Sequence, residues 1–250
     1  MRVVITGVDY PARPHITSWI TRAFRRLGCE VVRAGPSWHT PVGDGDTFVD
    51  PCYEPAMVHV GNDRMVGLSD VLRCVGDKVD LVVHSDQGDN WAVANDSGCP
   101  FAYIWRECNP GEDSRVLTAA GNGPIFTCMT GKNKVNPSGS IPLPFAVDCD
   151  VFVRHPYVPF ADRRFDVCYT GRERGSGTYD RFRRGFNDRA AMHGYIKGYD
   201  EYAKILRQSK TSYVVDAARY VGSRAIELMA SGGVMFSDAE DGAWGWLGLE

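Results

Sequence analysis

The strongest constraint on the fold lies at the amino terminus, where two short apolar runs bracket a segment of helical period. Val3-Val4-Ile5 reads as a buried strand, and Thr6-Gly7 then opens a polar, proline-containing loop that runs to His15. Ile16, Trp19, Ile20, Ala23, Phe24 and Leu27 recur on one face of a helix, with Arg22, Arg25 and Arg26 off it and Gly28 as a stop. Glu30-Val31-Val32 follows as a second strand. A strand, a helix and a strand in that order are a βαβ unit, which commits the chain to a parallel sheet covered by helices.

The same alternation continues. Strands are expected at Asp80 to His84, Phe101 to Trp105 and Pro124 to Cys128, with a helix from Ser69 to Val75 and a long Gly-, Pro- and Asp-rich loop from Gly35 to Pro55. The prolines between Pro137 and Pro159 mark a connector, after which a second alternating series begins. It comprises strand Phe165 to Tyr169, helix Tyr179 to Gly185, helix Glu201 to Arg207, strand Thr211 to Val215, helix Ser223 to Ser231 and strand Val234 to Ser237. With 250 residues, 44% of them hydrophobic, there is material for one large core or two small ones. The expected architecture is α/β with two Rossmann-like domains, residues 1–155 and 156–250, facing across a cleft.

Two segments of the second half carry chemistry. Gly171-Arg172-Glu173-Arg174-Gly175-Ser176-Gly177 lies between a strand and a helix that Thr178 could cap. Small residues, amide donors and the counter-charges Arg172 and Arg174 suit a diphosphate, and a solvated loop is the plain alternative. In Gly222-Ser223-Arg224-Ala225-Ile226-Glu227, Arg224 and Glu227 share a helix face. The Glu227 carboxylate could accept both hydroxyls of a ribose, or simply pair with Arg224.

In the first half, ligands of a doubly wound sheet collect at strand carboxyl ends, which draws attention to Asp86 after the third apolar run and to His15 before the first helix. Either could take a proton from an acceptor hydroxyl; equally, His15 could cap the helix and Asp86 could shape a turn. His84 reads as packed within its strand.

The order YTGRERGSGTYDRFRR, YIKGYDEYAKILRQSKTSYVV and GSRAIELMASGGVMFSD resembles the nucleotide-binding half of GT-B glycosyltransferases, with the spore-maturation-type branch the nearest likeness. Tyr202, Ser209, Lys210, Arg224, Glu227 and Gly232 stand where that branch has a tyrosine, a Ser-Lys pair and Arg-x-x-Glu-x-x-x-x-Gly. The likeness runs from about Phe165 to Asp238 and is architectural before that. It implies a nucleoside-diphosphate sugar as donor, Glu227 on its ribose, Gly171 and Arg172 at the diphosphate, and the backbone of Gly222 and Ser223 close to the phosphates. Lys210 would assist there, or only stand at a helix end. The family usually works without a metal ion or other cofactor. Its members generally continue further past the glutamate helix, so this C-terminal half is expected to be short or truncated, with Ala243-Trp244-Gly245-Trp246-Leu247 a candidate surface for self-association.

The remaining features narrow the field without choosing an acceptor. A formal charge of -3 offers a polyanion no general attraction, and Arg22, Arg25 and Arg26 are weak support for DNA. The eight cysteines are dispersed, without zinc spacing, and no run reaches the roughly 18 apolar residues of a membrane span, which together point to the cytoplasm. Small molecules, glycans, proteins and modified nucleobases all remain as acceptors, the loop with Trp38, His39 and Tyr53 being placed to choose among them. A noncatalytic nucleotide-sugar-binding module is the competing reading. A nicotinamide-dependent oxidoreductase is disfavoured, because Gly7 is followed by Val8, Asp9 and Tyr10 rather than by further glycines.

Overall fold

A computed structural model describes residues 1–8, 16–36, 50–51, 53–61, 63–76, 78–86, 91–106, 108, 111–128, 137–143, 147–170, 184–185, 189–193, 198–214 and 223–237. The chain divides into two units, Met1–Pro144 and Phe145–Gly245. In the first, β1 (Arg2–Gly7), α1 (Ile16–Arg26), β2 (Glu30–Pro36), β3 (Val58–Val60), β4 (Met65–Gly67), α2 (Leu68–Val75), β5 (Leu81–Asp86), β6 (Ala92–Ala94), β7 (Phe101–Trp105), α3 (Asp113–Ala120), β8 (Ile125–Thr127) and β9 (Ile141–Pro142) succeed one another. The main sheet has the order β3-β2-β1-β5-β7-β8-β9, and β4 pairs with β6 apart from it. All these pairings are parallel. The order runs outward from β1 to one side and then from β5 to the other, so the direction reverses between those two strands, as in a Rossmann sheet.

Burial on both faces explains the apolar runs. Val3, Val4 and Ile5 are fully buried, as is Val82, and each contributes about 1.5–3 kcal/mol relative to exposure. The helix at Ile16 forms as expected but presents another face. Thr17, Ser18 and Thr21 are its buried residues, while Leu27 is 76% exposed. The reason is close approach: a β-carbon on Gly7, at φ +147°, would lie 2.6 Å from the Ser85 carbonyl oxygen and 2.7 Å from Thr17 Cγ2. Only small side chains fit between α1 and the sheet there.

The second unit holds α4 (Cys149–Arg154), a short 3₁₀ turn (Phe160–Asp162), β10 (Phe165–Thr170), β11 (Ala190–His193), α5 (Tyr199–Arg207), β12 (Ser209–Val214), α6 (Ser223–Ala230) and β13 (Val234–Ser237). Its sheet has the order β11-β10-β12-β13, again wholly parallel. Arg163 is buried and joins three parts of the unit, donating from Nε to the Val158 carbonyl, from Nη1 to Ser209 and from Nη2 to Ser231, at 3.1, 2.8 and 2.9 Å.

Several expected boundaries shift. The second strand runs on to Pro36, into the region read as loop. The region read as a connector contains β9 and α4, the latter capped by Asp148, whose side chain accepts from the Asp150 amide. The helix expected at Tyr179 to Gly185 lies almost entirely outside the described residues. No helix among the described residues is long and apolar enough to cross a membrane.

Candidate functional site

In the second unit the chain leaves β12 at the carboxyl edge of the sheet and returns through α6 to start β13 at the opposite edge. Helix α6 therefore runs antiparallel to the strands, and Ser223 opens it at the carboxyl edge. Glu227 stands one turn further on and is only 3% exposed. Its two oxygens are both met by α5: Tyr199 donates to Oε1 and Tyr202 to Oε2, each at 2.7 Å. The two phenol rings stack, with centroids 5.8 Å apart and planes at 28°, and Phe152 of α4 meets the edge of Tyr199 at 5.9 Å. Burial, then the negative charge of Glu227, pushes the Tyr199 hydroxyl well above its usual range, so it stays a donor.

A carboxylate so held keeps one lone pair per oxygen for a further donor, since each oxygen can accept two hydrogen bonds. Arg224 is half-buried on the preceding part of the same helix, and Gly232 follows its end at φ +70°. Lys210 lies elsewhere. It is the second residue of β12, at the amino edge of the sheet, and its Nζ sits 3.0 Å from Asp166 Oδ1. Arg189 Nε reaches the other oxygen of Asp166 at 2.7 Å. Ser209, the partner of Lys210 in the motif, bonds back to the Ile205 carbonyl at 2.7 Å and so closes α5 onto β12. Gly171, Arg172 and Gly222, like His15, lie outside the described residues.

The first unit has a polar patch of its own. Residues in register on parallel strands share a face, and the pairs Thr6 with His84, His84 with Tyr103, Asp86 with Trp105 and Trp105 with Thr127 place six side chains on one face at the carboxyl end of β1, β5, β7 and β8. Asp86 is the last residue of β5. Its side chain is fully buried, and Oδ2 accepts from the Tyr103 hydroxyl and, at 2.7 Å, from Arg115 Nη2 on α3. Burial and the adjacent carboxylate push the Tyr103 phenol far up. Oδ2 of Asp86, read from the sequence as a proton acceptor or a turn residue, thus takes two hydrogen bonds, one of them from a guanidinium.

His84 is packed, as its place in the strand suggested. Its Nδ1 lies 3.0 Å from Thr6 Oγ1, and the ring stands between Tyr103 and Trp91, 4.9 and 5.6 Å away. Burial lowers its pKa to about 4, with Asp86 opposing and Arg115 adding to the shift. His84 Nε2, Trp105 Nε1, Thr127 Oγ1 and Arg115 Nη1 are buried without a hydrogen-bond partner among the described residues. Buried polar atoms without such a partner are the exception in folded proteins. The sequence pointed to Asp86 but not to Tyr103 or Arg115. Their signal is periodicity: Tyr103 repeats the alternation of its strand, and Arg115 adjoins Val116, which opens the buried Val116, Ala119 and Ala120 stripe of α3.

The arginines that hinted at a basic surface on α1 are engaged locally. Arg22 Nη1 and Arg25 Nη1 lie 3.8 and 2.7 Å from the two oxygens of Glu54. Among the described residues no group of three or more His, Cys, Asp or Glu is arranged to hold a metal ion.

The chain matches no protein-family profile and no curated protein sequence. It is similar to solved structures. An alpha-glucosyltransferase in complex with UDP and a 13-mer DNA containing a central A:G mismatch is 13% identical, with a TM-score of 0.58 over 95% of this chain and 79% of that one. An alpha-glucosyltransferase in complex with UDP-glucose and DNA containing an abasic site is 12% identical, with a TM-score of 0.54 and coverage of 95% and 79%. An alpha-glucosyltransferase in complex with UDP gives 12%, 0.54, 95% and 80%. At this identity the likeness is one of fold: the chain has the α/β, Rossmann-like architecture found in GT-B glycosyltransferases.

Proposed function

We propose that this protein transfers a glycosyl group from a nucleoside-diphosphate sugar to an acceptor hydroxyl. The observation that carries the reading is Glu227, a buried carboxylate fixed on the helix that starts at the carboxyl edge of a parallel sheet, where such folds take nucleotides. The fold it shares with glucosyltransferases that bind UDP or UDP-glucose supports the same reading and makes UDP the first donor nucleotide to try. Within that class the Ser209-Lys210 and Arg224-x-x-Glu227 spacing favours the spore-maturation-type branch.

In this reading the second unit takes the donor. Glu227 accepts the ribose hydroxyls, and Gly171, Arg172, Arg224 and the backbone of Gly222 and Ser223 surround the diphosphate. The bond between the anomeric carbon and the diphosphate oxygen breaks, and the charge left on the diphosphate is met by arginines and by amides at the start of α6, without a metal ion. A new bond forms from the acceptor oxygen to the anomeric carbon, and the acceptor proton passes to a base on the first unit. His15 is the residue proposed for that step, with Asp86 holding Arg115 and Tyr103 beside the acceptor. Lys210, bonded to Asp166 at the amino edge of the sheet, is given no role in this reading. The cytoplasm is the proposed compartment, and the Trp-rich end the proposed surface of self-association.

A thermal-shift screen of the protein against UDP, GDP, ADP, TDP and their sugar conjugates, repeated with Glu227→Ala, tests the donor site. Stabilisation by one nucleotide that vanishes in the variant supports the reading; no shift with any of them, in folded protein, refutes it. The engagement of Asp86 with Arg115 and Tyr103 favours a second reading, a nucleotide-sugar-binding module without turnover. Donor hydrolysis or transfer that is lost in His15→Ala, with nucleotide affinity kept, would exclude it.

A further inference from the structure

We infer that Tyr199 and Tyr202 are positioning residues that set the Glu227 carboxylate to select a nucleotide with a free ribose 2′-hydroxyl over its 2′-deoxy counterpart. The inference rests on the donor-site reading above and concerns residues to which that reading gives no role. Each tyrosine donates to a different oxygen of Glu227 at the same distance, 2.7 Å. A carboxylate held at one oxygen can still turn about its side-chain bonds; one held at both has its plane defined. The hydroxyls are themselves fixed, because the rings are buried and stacked and Tyr199 is further packed against Phe152.

The consequence follows from counting lone pairs. Each carboxylate oxygen has two, the phenols take one each, and two remain in the same plane. Two coplanar acceptors of fixed spacing match a pair of neighbouring hydroxyls, and a 2′-deoxyribose leaves one acceptor buried and unmet. A site built to bond a hydroxyl discriminates strongly against the analogue that lacks it for this reason. Replacing both tyrosines by Phe keeps the stacked rings and removes only the donors, freeing the carboxylate to settle on a single hydroxyl.

The test is isothermal titration of the full chain with UDP and 2′-deoxy-UDP, and with the matching ADP and GDP pairs, for the wild type, Tyr199→Phe, Tyr202→Phe, the double variant and Glu227→Gln. The wild type is expected to bind one ribonucleotide about tenfold or more tightly over its deoxy form. The double variant is expected to lose most of that ratio through weaker binding of the ribonucleotide, with the single variants in between. A purely structural role for the tyrosines would change affinity for both forms alike and leave the ratio intact, which overturns the inference. If the ratio survives Glu227→Gln as well, the ribose assignment itself fails; if no nucleotide binds the folded wild type, the glycosyltransferase reading fails and the inference with it. Far-ultraviolet circular dichroism of each variant establishes that it is folded, and the single variants carry the test should the double variant not be.

Discussion

Replacing Asp86 by Asn should destabilise the first unit rather than simply stop a reaction. The side chain is fully buried and its partner Arg115 is 22% exposed, so water screens the pair little. Oδ2 accepts two hydrogen bonds, from Tyr103 and from Arg115, and bonds to a charged group contribute about 1.5–3 kcal/mol each. Asn keeps one carbonyl oxygen and can retain the Tyr103 bond in weaker, neutral form. The guanidinium loses its counter-charge but keeps Glu112, 3.4 Å away. Removing one partner of a well-buried pair costs about 3–5 kcal/mol, and the retained bonds reduce this to about 2–4 kcal/mol. At the usual urea dependence of about 1–3 kcal/mol per molar, the midpoint should fall by on the order of 1–2 M. Tryptophan fluorescence is the natural probe, because Trp91 and Trp105 are both buried in this unit and Trp105 is in register with Asp86. Tyr103→Phe should cost less, about 1 kcal/mol, and a double-mutant cycle of Asp86→Asn with Arg115→Met should reveal coupling above about 1 kcal/mol. An Asp86→Asn protein that unfolds with the wild type yet loses turnover would refute the argument and return Asp86 to the role of base.

Gly7→Ala should be more damaging than its size suggests, by about 2–4 kcal/mol in urea unfolding, since the new carbon meets the Ser85 carbonyl and Thr17 at a φ that L residues rarely adopt. His84 should make stability depend on pH. Its imidazole takes a proton near 6.5 in the unfolded chain but only at about 4 when folded, so its contribution is intact above pH 6.5 and is lost as pH falls towards 4. The full interval amounts to about 3 kcal/mol, and His84→Gln should flatten the urea-midpoint profile between those values; an unchanged profile would mean that the imidazole is not held neutral. Lys210→Ala should leave nucleotide affinity within about twofold of the wild type in the same titrations, because the amine is bonded to Asp166 at the amino edge of the sheet. A tenfold loss would place the amine at the phosphates instead.

What could be read along the chain was whatever short-range periodicity encodes. The strands at Phe101 to Trp105 and Val234 to Ser237 were legible to the residue, because each is a short, mostly apolar run that begins directly after a proline or a glycine. Helix α3 escaped notice since its buried face is Val116, Ala119 and Ala120, and alanine contributes little to an apolar stripe although it packs closely. Helix α4 escaped because prolines on either side of it suggested a connector. On α1 the stripe itself misled: the position of Gly7 decides which face can approach the sheet, and the small hydroxyl residues Thr17, Ser18 and Thr21 go inward.

The candidate site divides along the same line. Arg224 and Glu227 could be placed on one helix because three residues are nearly one turn, and the α/β alternation set that helix beside a parallel sheet. That Glu227 is gripped by Tyr199 and Tyr202, 28 and 25 residues away, depends on how α5 packs against α6. Asp86 shows the same limit, since its partners come from β7, its neighbour in the sheet, and from α3. The sequence alone determined the elements and their βα order, which are set by neighbours within a turn or a strand. Tertiary structure alone decided which polar side chains meet, because hydrogen bonds between distant residues depend on the register of strands and the rotation of helices.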